Sequence, residues 1–69
     1  MNIFAQPGEQ VIFTSPDAGL EQDIKDAKRY LSVGETYTVD GTELRDWQTR
    51  VWLKGFSYCS FNSVQFGDV

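Results

Sequence analysis

Between Arg45 and Tyr58 the chain gathers three of its six cations, both of its tryptophans and a tyrosine: Arg45, Trp47, Arg50, Trp52, Lys54 and Tyr58. Guanidinium and ammonium groups neutralise phosphate or carboxylate oxygens, and an aromatic face stacks on a base or a cation. These residues are candidate binders of a small anionic ligand such as a nucleotide. They equally suit a protein interface, where Trp and Arg serve as anchors. A second set, Asp17, Glu21, Asp23 and Asp26, makes a candidate acidic partner surface. An acidic strip mimics nucleic acid and suits a basic channel on a target, although acids at a helix start also answer the helix dipole.

No catalytic residues are identified. Histidine is absent, so neither a Ser-His nor a Cys-His nucleophile pair can be built. Cys59 is the lone thiol and reads as structural, and with no second Cys or His there is no zinc set. No metal and no cofactor is expected. The glycines Gly34, Gly41 and Gly55 mark turns and lack the spacing of a phosphate-binding loop. The expectation is a protein that is not an enzyme.

With 69 residues the chain makes one domain, spanning 1–69, and its core is small for the surface it must hold. Ten aromatics supply that core, and its small size favours a homo-oligomer. The net charge of −4 excludes duplex nucleic acid as the default partner. No apolar run approaches the ~20 residues of a membrane span, and the start "MNIFAQPGEQ" lacks the basic and apolar regions of a signal peptide. A single free thiol fits a reducing compartment, so the expected location is the cytoplasm, with no membrane partner.

The elements that would position these residues follow from periodicity. "QPGE" at 6–9 has the Pro-Gly order of a type II turn, and "QVIFT" at 10–14 reads as a strand closed by the turn residues of "SPDAG". From Leu20 to Leu31 the period changes. Leu20, Ile24, Ala27 and Leu31 line one helical stripe, acids lead and bases trail, Glu21 pairs with Lys25, and Asp17 is a candidate cap. A strand within 32–41 places Val33, Tyr37 and Val39 inward, after a turn at Gly34.

The next strand, 47–54, points Thr49, Val51 and Leu53 inward with Trp47, and Gln48, Arg50, Trp52 and Lys54 outward. An outward Trp52 has three readings: it packs on the helix stripe, it lies in an oligomer or partner interface, or it stacks on a bound base. The stretch 55–66 supplies one or two strands, with Tyr58, Ser60, Asn62, Val64 and Phe66 on one face and Cys59, Phe61, Ser63 and Gln65 on the other. The fold class is mainly β with one helix (α+β), a small, strongly bent antiparallel sheet or barrel.

The segments "YLSVGETYTV", "VWL" and "FNSVQF" resemble the small SH3-like barrels of bacteria and their phages. The resemblance covers residues 10–66 and departs from the family at 20–31, where the first long loop holds a helix. It implies an SH3-like domain encoded by a phage or mobile element. It also implies a counter-defence role in the host cytoplasm, by binding and blocking a host protein. The alternative is a sponge that sequesters a small anionic signal through Arg, Lys and aromatic residues. A structural domain of a virion is a third class.

Overall fold

The computed structural model describes residues 1, 3–46 and 48–69. Strand β1 (Gln10–Phe13) follows the turn at Gln6–Glu9. There Gly8 takes a φ of 98°, the Glu9 N–H donates to the Gln6 carbonyl at 3.1 Å, and the Gly8 N–H donates to the Val39 carbonyl at 2.8 Å. Helix α1 (Glu21–Tyr30) comes next, then β2 (Thr36–Arg45), β3 (Gln48–Leu53), β4 (Phe61–Asn62), a single 3-10 turn (Ser63–Gln65) and β5 (Phe66–Asp68). The strands form one antiparallel sheet in the order β4-β3-β2-β1-β5. β2 serves both halves. Thr36–Thr38 pair with β1, while Val39–Arg45 pair with β3, and an irregularity between Val39 and Gly41 bends the sheet. The edge strands β4 and β5 are not paired to each other, so the sheet is open.

The core collects Val11 and Phe13 from β1, Val39 from β2, Val51 and Leu53 from β3, and Phe61 and Phe66 from the last strands. Ala5 closes it at one end, and Ala27 and Leu31 come from α1. β3 follows the expected alternation, with Thr49, Val51 and Leu53 buried and Gln48, Arg50 and Trp52 half-buried between them. Trp47, expected inward, lies outside the described residues. Trp52 stands opposite Gly41 in β2, which offers it no side chain.

Four expectations are corrected. Val33 is 61% exposed, because Ser32–Glu35 form a turn and the strand begins only at Thr36. The face assignment for 58–66 breaks at the 3-10 turn. That turn rotates the chain so that Phe61 and Phe66 enter the same core, with ring centroids 6.4 Å apart, while Val64 faces out. The helix stripe is rotated as well. Leu20 is 60% exposed, Ile24 is half-buried, and the buried positions are Asp23, Ala27 and Leu31 at i, i+4 and i+8. Asp17 does not cap α1. Leu20 stands at the N-cap with an extended backbone, and the Asp23 carboxylate reaches back to accept the Leu20 N–H at 3.0 Å.

Candidate functional site

An aspartate on the buried face of a helix needs partners, and Asp23 has three. Its Oδ1 accepts from the Arg50 guanidinium at 2.6 Å; its Oδ2 accepts from the Asn62 amide at 3.1 Å and from the Leu20 N–H. Arg50 and Asn62 are cross-strand neighbours on β3 and β4, so the helix N-terminus is pinned to that edge of the sheet. Arg50 is engaged at all three of its guanidinium nitrogens. It also donates to the Ser60 hydroxyl at 3.1 Å, the Ser60 carbonyl at 2.8 Å and the Gln48 side-chain carbonyl at 3.0 Å. Gln48 Oε1 in turn accepts from Asn62 at 3.3 Å. Burial alone would push the Asp23 carboxyl up. The hydrogen bonds from Arg50, Asn62 and Leu20, with the guanidinium charge, outweigh it and hold the group below its ordinary value.

Around this junction lie two adjoining depressions. The first, about 380 Å³, is lined by Ala18, Gly19, Leu20, Gln48, Asn62 and Val64. The second, about 290 Å³, is lined by Ile3, Leu44, Arg45, Asp46, Gln48, Thr49, Ser63 and Val64. Gln48 and Val64 belong to both. Four exposed aliphatic side chains, Ile3, Leu20, Leu44 and Val64, therefore share one stretch of surface. Together they form an apolar patch beside the junction.

Of the sequence-predicted binding residues that the structure describes, Arg45 alone lines these depressions. Arg45 bonds Glu43 at 2.9 Å, and Arg50 is half-buried and engaged in the junction. Arg45, opposite Gln48, and Lys54, just past Leu53, stand at opposite ends of β3, ~20 Å apart at ~3.3 Å per residue. Tyr58 lies in the β3–β4 loop, 63% exposed, edge-on to Tyr30 at 5.2 Å. Of the expected acidic surface, Asp17 pairs with Lys28 at 2.8 Å, Glu21 pairs with Lys25 at 3.5 Å, and Asp26 accepts from Gln22 at 2.9 Å. Asp23 is withdrawn from the surface altogether, at 5% exposure.

Sequence reasoning passed over Leu44 and Val64. The available signal was an aliphatic residue between two charges in "ELR", and one in "NSVQF" at an outward position after the 3-10 turn. Cys59 is half-buried; burial first, and the Asp26 charge second, push its thiol up, against the pull of Arg50. Among the described residues no group of three His, Cys, Asp or Glu could hold a metal, and no helix is long and apolar enough to cross a membrane.

The molecule is thus a small, mainly antiparallel-β protein with one helix locked to the sheet edge by a buried ion pair, and with an apolar patch beside the lock. The chain belongs to the Bacteriophage T4 protein Y07B family, whose family model matches residues 2–68, and it is accordingly a phage protein. No curated protein and no solved structure matches it.

Proposed function

We propose that this phage protein is a non-enzymatic accessory factor that acts in the host cell by binding and blocking a host protein, in the service of counter-defence. The observation that carries this reading is the exposed patch of Ile3, Leu20, Leu44 and Val64 over the two depressions. Membership of a phage family and the small size of the chain support it. The sponge reading has less support: Arg50 is spent on Asp23, Arg45 on Glu43, and Lys54 stands apart from both. An SH3-like derivation is part of the proposal. It is supported by the bent five-stranded sheet, the shared β2 and the aromatic strand pair near the C-terminus.

The test is native mass spectrometry on protein recovered gently from infected cells, wild type beside Val64→Asp. A host protein held by the wild type and lost from a folded Val64→Asp variant is the expected result. A bound mass of a few hundred daltons retained by both proteins would favour the sponge and sink the docking surface.

A further inference from the structure

We infer that the occupant of this patch is a basic segment of the partner protein, with an apolar side chain on each side of Val64 and a Lys or Arg facing Asp46. The inference rests on the protein-binding reading above and adds the chemistry of the partner. Val64, 57% exposed, belongs to both depressions and forms the ridge between them. In the first depression Gln48 Oε1 accepts from Arg50 and Asn62. Asn62 Nδ2 donates to Asp23 and Asn62 Oδ1 accepts the Val64 N–H at 3.2 Å, so these polar atoms are already engaged by the protein. What remains for a guest is apolar wall from Ala18, Leu20 and Val64, with the side-chain amide nitrogen of Gln48 as a donor. In the second, Arg45 is engaged by Glu43, whereas Asp46 takes part in none of the ion pairs.

The rest of the charge points the same way. The ion pairs take up Lys25, Lys28, Arg45 and Arg50. Among the described residues the acids outside these ion pairs are Glu9, Asp26, Glu35, Asp40, Asp46 and Asp68, against Arg29 and Lys54, which together make the net charge of −4. A second copy seated on this patch would set two bodies of −4 each against one another. A basic partner meets the same surface with charge complementarity.

The experiment is selection from a displayed library of short random peptides on the wild type, on Val64→Asp and on Asp46→Lys. Sedimentation of each protein and thermal melts serve as fold controls; both residues are exposed, so the melts should coincide. Peptides enriched on the wild type should pair two apolar residues with Lys or Arg. They should lose binding to Val64→Asp, weaken about fivefold on Asp46→Lys, and give way to acidic peptides when that variant is the bait. No Val64-dependent enrichment would overturn the docking reading itself. Val64-dependent peptides with no basic bias, bound equally by Asp46→Lys, would leave docking standing and overturn the basic partner. A wild-type dimer that Val64→Asp dissociates would make a second copy the occupant and overturn it too.

Discussion

Helix α1 is held by two aspartates that make the same kind of bond at different depths. Asp23 meets Arg50 at 2.6 Å, with the two side chains 6% and 12% exposed; Asp17 meets Lys28 at 2.8 Å, with 79% and 55% exposed. The distances are nearly equal, and the consequences are not. At the surface, water competes for both ions and the pair holds two long side chains still for little return. In the junction, each partner left alone is a charge without solvent, so the pair behaves as a lock: cheap to keep, costly to break halfway. Separation says little about the worth of an ion pair, whereas burial and the remaining hydrogen bonds decide it.

The sharpest way to break this comparison is to remove one half of the buried pair. Arg50→Met leaves Asp23 charged and enclosed, and should destabilise the fold by about 3–5 kcal/mol, read as a fall in the urea midpoint. Replacing both members, as Asp23→Leu with Arg50→Met, should recover most of that loss, because the uncompensated charge disappears. A double variant no better than the single one would mean that the junction's hydrogen bonds, and not its charges, carry the effect.

The same lock has a pH signature. The Asp23 carboxyl is held below its ordinary value of 3.8 in the folded protein, so folding favours the ionised form. Its contribution is complete above the unfolded value and is lost as the pH falls through the folded one. The urea midpoint of the wild type should therefore hold steady from neutral pH to about pH 5 and drop below about pH 4. The double variant should lack that share of the drop, and parallel profiles for the two proteins would refute the assignment.

A smaller effect is expected at Gly19, which closes the junction from the loop side. Its φ is +91°, and an added Cβ would stand 3.1 Å from Asp23 Oδ2 and 3.2 Å from Asn62 Nδ2. Gly19→Ala combines backbone strain with crowding of groups that are themselves fixed, and should cost about 1–3 kcal/mol. Gly8→Ala, with a similar φ and open space around it, isolates the strain alone and should cost less.

How far the sequence spoke depended on what kind of signal each residue gives. β3 was legible because Thr49, Val51 and Leu53 alternate with polar neighbours over a full strand. Helix α1 was legible in extent but not in orientation. Hydrophobic periodicity ranks Leu20 as core and Asp23 as surface, and only a cation 27 residues away reverses that order. The last segment misled for a similar reason. One 3-10 turn shifts the period, so a strict strand reading sends Phe61 and Phe66 to opposite faces when both are buried. The apolar patch was invisible because its members come from the N-terminal segment, the N-cap, the end of β2 and the 3-10 turn, which no local pattern joins.

The weakest expected effect completes the comparison at its other pole. Asp17→Asn removes the charge that Lys28 meets at 2.8 Å, a shorter contact than many that matter. Both side chains are more than half exposed, so the lost attraction is offset by rehydration of the ammonium and by restored side-chain freedom. The expected change is about 0.2–0.5 kcal/mol, and it should vanish at 1 M salt, where screening acts within about 3 Å. The Arg50→Met loss should survive the same salt, since the junction excludes the ions that would screen it. If the Asp17 variant lost as much stability as the Arg50 variant, and salt did not matter to either, depth would not be what separates the two pairs. The loop Ser15–Gly19 would then have to be a structural element in its own right, with Lys28 as its anchor.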